Sequence, residues 1–309
     1  MTTSSRTGVL VVGSVSADLT AFSSRAPEPG ETLRGESFSL ALGGKGANQA
    51  VAAARAGAPT AFIACVGDDT FGAMVVGELT AAGVKVEGVR TVAGETGIAH
   101  IRVDSTGENS IVIVPGANDA LDEAVVLQGI RDAAASSSVL LTQLETPARL
   151  TASILRTARD AGLTTILDPA PAAALNDEVW SLVDVVTPNE TEARMLTGTV
   201  VDSEESAVDA ARWFLERGVG AVLITRGGAG TTLVTAERVE TFPVLEVEAV
   251  DTTAAGDAFA GALGAALAGG RSLESAIRYG AAAGALAVSK RGASPSIPTA
   301  AEIEELLAR

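Results

Sequence analysis

The chain has 309 residues, of which 47% are hydrophobic, 19% charged and only 3% aromatic. That is enough apolar matter for a large packed core, so a disordered chain is excluded, and many thin helices rich in Ala and Gly are expected. A formal charge of −16 repels phosphate backbones and anionic membranes at long range, which argues against nucleic-acid and membrane partners.

The opening residues lack the charged start and long apolar stretch of a signal peptide. No apolar run approaches the roughly 20 residues a membrane helix needs, so a cytoplasmic protein is expected. Residues 8–13, GVLVVG, read as a short buried strand ending in glycine, and continuous apolar runs of this kind fit central parallel strands. Similar runs follow at 61–66, 139–141, 165–167, 183–186 and 221–225. Helical spacing fills the intervals at 47–56, 71–82, 149–161 and 206–217. The alternation predicts an α/β fold in which a mostly parallel central sheet is covered on both faces. Cys65 falls in one of the apolar runs and reads as a buried thiol, and a single cysteine cannot form an internal disulfide.

Two stretches break the pattern. Residues 19–40 are extended, with Pro27, Pro29 and Gly30 as breakers, and residues 98–114 read as two strands around a turn at 104–109. Ala99, Ile101 and Val103 share one side of the first of these strands; His100, Arg102 and Asp104 share the other. Together they predict a small inserted β-sheet, a candidate lid or dimer surface. The α/β body is then 1–18, 41–97 and 115–309, and the lid 19–40 and 98–114. His100, the sole histidine, falls in the inserted hairpin and reads as a surface or dimer-face residue rather than a catalytic base.

Ligands of open α/β sheets bind beyond the C-terminal ends of the strands, so polar residues and glycines that follow strands are the candidates. The run DTTAAGDAF at 251–259 opens a helix, since Phe259, Ala262, Leu263, Ala266 and Leu267 fall at helical spacing. Ala254, Ala255 and Gly256 then form the turn at its start, where bare N–H groups would hold charge on a phosphoryl group. Asp257 is placed to take a proton from an attacking hydroxyl, although an Asp at a helix start also serves the helix dipole alone. The run LGGKGANQA at 42–50 opens another helix. Its glycines remove side chains where something comes close, and Lys45, Asn48 and Gln49 offer polar groups to a hydroxylated ligand. It is not a Walker A loop, because Lys45 is followed by Gly46 and the spacing is absent. The first strand leads into GSVSAD at 13–18 rather than G-x-G-x-x-G, which disfavours a dinucleotide-dependent dehydrogenase.

These two runs resemble the N- and C-terminal signatures of the ribokinase-like, or PfkB, carbohydrate kinases. The resemblance extends in order over nearly the whole chain: residues 13–18, PGET at 29–32, GDD at 67–69, PGAN at 115–118, QLE at 143–145, DPAP at 168–171 and TPNETE at 187–192. It implies a ribokinase-like three-layer α/β/α sandwich and ATP-dependent phosphorylation of a pentose, with D-ribose giving D-ribose 5-phosphate as the first expectation. Related acceptors are deoxyribose, another sugar or a nucleoside.

The site residues implied are Asp257 as catalytic base with the Ala254, Ala255 and Gly256 anion turn. The sugar is expected at Ser16, Asp18, Gly44, Lys45, Gly46, Asn48, Glu145 and Asp257. ATP is expected at Asn189, Thr225, Arg226, Gly227, Gly228, Ala229, Gly230, Gly256 and Asp257. Asn189 and Glu192 are expected to organise Mg2+ through water, and Asp251, Thr253, Ala287, Lys290, Gly292 and Ser296 to hold a monovalent cation such as K+. Arg226 reads equally as a phosphate contact or as a solvent-exposed side chain. The resemblance also implies a homodimer through the lid sheet. One departure bears on the sugar: the family's ribose kinases usually carry Asn where this chain has Ser16. Ser is shorter but still a donor and an acceptor, so ribose is the expectation retained.

Overall fold

The structure is a computed structural model that describes residues 6–309; the first five residues of the expected body lie outside the described residues. β1 (Gly8–Val12) passes through a short turn into β2 (Ser16–Phe22), and β3 (Ser37–Gly43) leads directly into helix α1 (Lys45–Arg55). Next come β4 (Thr60–Gly67), α2 (Thr70–Ala81) and β5 (Lys85–Val92), then the hairpin β6 (Ile98–Val103) and β7 (Asn109–Val114). The chain continues through α3 (Glu123–Ala133), β8 (Ser137–Thr142), α4 (Thr151–Asp160), β9 (Thr164–Leu167), the single turn α5 (Asp177–Trp180) and β10 (Val185–Val186). α6 (Glu190–Thr197), α7 (Glu204–Leu215) and β11 (Ala221–Thr225) precede a second hairpin, β12 (Thr231–Val234) and β13 (Val239–Phe242). Three helices close the chain: α8 (Ala255–Ala268), α9 (Leu273–Val288) and α10 (Ala300–Leu307).

A nine-stranded sheet has the order β13-β12-β11-β10-β9-β8-β1-β4-β5, and all its pairings are parallel except those of β12 with its two neighbours. Side-chain alternation in its strands feeds two separate cores. Val9, Val11, Phe62, Ala64 and Leu141 pack in one with α1, α8 and α9, while Leu10, Val12, Ile63, Cys65 and Leu140 pack in the other with residues of α3, α4 and α7. This is why the central strands read as unbroken apolar runs. The expected mostly parallel sheet, covered on both faces, is therefore present. Three strands lacked that signature. β5 is an edge strand whose residues, KVEGVRTV, include several charged and exposed side chains, and β12 and β13 form an antiparallel edge hairpin. The strand expected over 183–186 is reduced to Val185–Val186.

The second sheet has the order β3-β2-β6-β7. Its strands reach past residues 19–40 at both ends, since β2 begins at Ser16, where Ser16 pairs with Gly43. The junction between the two sheets therefore lies among the residues of the two glycine-bearing motifs. His100 is exposed on β6, and all six residues of β7 are exposed. Among the described residues no helix is long and apolar enough to cross a membrane.

The abundance of small residues has a positional use. α1 and α8 pack so closely that a Cβ on Gly261 would lie 2.6 Å from Gln49 O and 2.4 Å from the Ala52 methyl. That approach brings the N-terminal ends of both helices to one place.

Candidate active site

The turn from β1 to β2 is the first wall. Asn118 holds Val15 from both sides, accepting from its N–H at 2.9 Å and donating to its carbonyl at 2.8 Å. Glu145 Oε2 accepts from Ser14 Oγ at 2.6 Å and from the Lys45 amide at 2.9 Å, tying this turn to the start of α1. The glycines of that start make room for the protein's own atoms. A Cβ on Gly43 would lie 2.0 Å from the Asp18 carboxyl carbon, and one on Gly46 would lie 2.6 Å from the Gly13 carbonyl carbon and the Ser14 amide. Gly44 has φ 86°, in the left-handed region that glycine alone adopts without strain.

Asp257 sits in the first turn of α8, 5% exposed. Its carboxylate turns away from its own helix start: Oδ2 accepts from Asn48 Nδ2 at 3.0 Å, Oδ1 accepts from Gln49 Nε2 at 3.2 Å, and Lys45 Nζ stands 4.0 Å from Oδ1. A service to the helix dipole alone does not explain this arrangement. Before it, Ala254 has φ 59°, the one non-glycine with positive φ among the described residues. A left-handed alanine stores about 1 kcal/mol of strain or more. The Ala255 amide makes only a long 3.3 Å bond to Thr252, and among the described residues no acceptor pairs with the amides of Gly256 and Asp257. The turn thus presents unpaired N–H groups at Gly256 and Asp257 among the described residues.

A cleft of about 200 Å³ is walled by Lys45, Asp168, Thr187, Asn189, Glu192, Thr225, Thr252, Ala254, Ala255, Gly256, Asp257 and Phe259. Asp18, Ser16 and Glu145 are not among the walls of this cleft; Ser16 Oγ donates to Asp18 Oδ1 at 2.8 Å. Lys45 and Asp257 therefore share a cleft wall with the 254–256 turn, and the Asp18 and Glu145 carboxylates lie close enough to act on the charge of Asp257.

Burial sets the electrostatics. It pushes Asp18 up to about 6, against the Ser16 hydrogen bond and with help from Glu145 and Asp257. It pushes Asp168 up to about 8, opposed mainly by Lys45 and reinforced by Glu192 and Asp257. Asp257 is raised for the same first reason, with Lys45, Asn48 and Gln49 opposing. Burial alone would discharge the Lys45 ammonium, but Asp257, Asp168, Glu145 and Glu192 outweigh it and hold the group protonated.

Asn189 and Glu192 form a reciprocal cap on α6: Asn189 Oδ1 accepts from the Glu192 amide at 2.8 Å, and Glu192 Oε2 accepts from the Asn189 amide at 2.9 Å. Both still wall the cleft, and Glu192 Oε1 is not used by the cap. Among the described residues no three His, Cys, Asp or Glu side chains gather to hold a metal. The donor set fits only an ion that keeps most of its water, as Mg2+ does.

Of the expected nucleotide loop, Thr225 reaches the cleft, pairing beside Asn189. Gly227, Gly228, Ala229 and Gly230 are not among its walls. Arg226 is neither exposed nor turned to the cleft: it is 9% exposed and donates to Ala229 O at 3.3 Å, within its own loop. Among the expected cation ligands, the Asp251 carboxylate joins Thr253, whose hydroxyl it accepts at 2.6 Å, to Gly292, whose amide it accepts at 2.9 Å. The Ala287 carbonyl already accepts from the Lys290 amide at 3.2 Å. Lys290 Nζ is turned to Glu302 at 2.7 Å, and Ser296 Oγ to the Ala293 carbonyl at 2.8 Å.

Gln49 does not face a ligand. It is fully buried, a correction to its reading as a sugar-facing amide, and Asp168 and Gln143 join it in one network. Two signals could have found these residues. Lys45, Asn48 and Gln49 share a helix face at i, i+3 and i+4, and Asp168 directly follows β9 at the sheet's C-terminal end.

A mostly parallel sheet with a buried carboxylate and a turn of free amides beyond its strands is suited to phosphoryl transfer. Residues 6–300 match the pfkB family carbohydrate kinases. Ribokinase of Haemophilus influenzae is 45% identical over 98% of this chain and 99% of that protein, and deoxyribokinase of Salmonella typhi is 32% identical over 97% and 98%. The structure of Arabidopsis thaliana ribokinase complexed with ribose and ATP superposes with a TM-score of 0.91 at 33% identity, covering 98% of this chain and 99% of that one. The chain belongs to the pfkB family and is an ATP-dependent carbohydrate kinase.

Proposed function

We propose that the enzyme transfers the γ-phosphoryl group of ATP to the 5-hydroxyl of D-ribose, with Asp257 as base. The observation that carries this reading is the place of Asp257, held by Asn48, Gln49 and Lys45 in the wall of the cleft beside the amide turn. A neutral sugar offers hydroxyls that both donate and accept, and the half-buried Asp18 and Glu145 carboxylates, with the unpartnered Asn48 Oδ1, suit them. The hydroxyl proton passes to the Asp257 carboxylate, the oxygen bonds to the γ-phosphorus, and the bond to the bridging oxygen of ADP breaks. Burial raises the pKa of Asp257 above the usual carboxylate range, which strengthens it as a base. The 254–256 amides hold charge on the phosphoryl oxygens. Asn189 and Glu192 would hold Mg2+ through water, and the ion would neutralise the phosphates. The four-stranded sheet acts as a lid that excludes water, and its exposed β7 face, with Phe38 and Leu40, pairs with a second copy to form a homodimer. A free, buried Cys65 fits a reducing, cytoplasmic setting.

The experiment is ADP release measured across pentoses, hexoses and nucleosides. Ribose is expected to give the highest kcat/KM. A preference for 2-deoxyribose would favour the second reading, to which Ser16 points, because its hydroxyl is committed to Asp18. Asp251 bridges Thr253 and Gly292 beside the amide turn, so K+ is proposed to bind and order this loop. Turnover in K+ should exceed that in equal Na+ or choline, and equal rates would remove the cation from the scheme.

A further inference from the structure

Gln49 has no water to bond with: its side chain is fully buried, so each of its polar atoms must find a partner within the protein. Its Oε1 accepts from Gln143 Nε2 at 2.5 Å. That bond fixes which end of the amide is which, because a flipped Gln49 would turn N–H against N–H. Its Nε2 then faces two carboxylates, Asp168 Oδ2 at 2.7 Å and Asp257 Oδ1 at 3.2 Å. Gln143 is itself confined by packing, since its Oε1 lies 2.1 Å from where a Gly13 Cβ would stand, although that oxygen is buried without a hydrogen-bond partner.

We infer that Gln49 is a positioning residue for the base: its amide, locked by Gln143, holds Asp257 with one N–H and Asp168 with the other. This rests on the reading of Asp257 as base and adds what aims it. With Asn48 on Oδ2 and Gln49 on Oδ1, the carboxylate cannot rotate about its last bond, so a lone pair stays directed at the acceptor hydroxyl. The Gln49 N–H also favours the ionised form of Asp257. The charged groups around that carboxylate are Lys45 from α1, Asp168 after β9, Glu145 after β8 and Asp18 from β2; Gln49→Met changes none of their charges.

The test is Gln49→Met, which keeps the volume and removes both N–H groups. Turnover is expected to fall about tenfold, with the KM for ATP unchanged. The acid limb of the kcat profile is expected to move about one pH unit upward, because the unprotonated base loses a hydrogen bond. A merely structural Gln49 would lower the unfolding midpoint and leave that limb in place, and an unmoved limb in folded Gln49→Met enzyme overturns the inference. If that variant does not fold, Gln143→Met decides: it releases the amide lock, and the limb must again move upward, or the inference fails. Asp257→Asn run alongside separates the two readings. If it turns over normally, Asp257 is not the base. If it is inactive while the Gln49→Met limb stays put, only the positioning role is lost.

Discussion

Asp257→Asn is expected to lower kcat by about a hundredfold or more, while a non-hydrolysable ATP analogue binds nearly as well as to the native enzyme. The substitution preserves shape and burial but leaves no group that can accept the hydroxyl proton. The 254–256 turn uses backbone amides, which the change does not remove, so phosphate recognition should survive. Steady-state turnover with ribose, together with calorimetric titration of the analogue, checks both halves. Turnover close to that of the native enzyme would show that the proton leaves by another route.

Gly46→Ala is expected to reduce stability by about 3 kcal/mol and turnover by about a hundredfold. The added methyl would lie 2.6 Å from the Gly13 carbonyl carbon and the Ser14 amide, and 2.7 Å from Gly13 Cα. All three are backbone atoms and cannot rotate aside, so relief requires α1 to slide off the end of β1. That slide displaces Lys45, Asn48 and Gln49 together, and these three hold Asp257. Denaturant unfolding and kcat measured on the same preparation test this. A variant as stable and active as the native enzyme would mean that α1 yields without consequence at the base.

The parallel core was legible because its strands are buried on both faces and so carry no charged residues and few polar ones, such as Thr60, Ser137, Thr142 and Thr165, to interrupt the pattern. β5 was not, since a strand at the sheet's edge can carry Lys85, Glu87 and Arg90 in contact with solvent. The helix starts at Lys45 and Ala255 were visible from glycine followed by apolar spacing. What hid from the sequence was the direction of side chains. Asn189 and Glu192 satisfy each other's backbone, Arg226 folds onto its own loop, and Gln49 turns inward. Several of the quoted motifs prove to be fasteners: Asn118 clamps the β1–β2 turn, and Asp69 caps α2 by accepting from the Gly72 amide at 2.7 Å. Motif spacing reveals that residues gather, whereas only packing decides which of them touch one another.

The mutual cap of Asn189 and Glu192 has a thermodynamic corollary. This wall of the cleft is braced by its own backbone bonds, so a triphosphate arriving there, as proposed, has no segment to freeze. Little of its affinity is consumed in immobilising the enzyme at that point. Replacing Glu192 would therefore do two things at once, withdrawing a carboxylate and fraying the first turn of α6, and the second would register as a less favourable entropy of association.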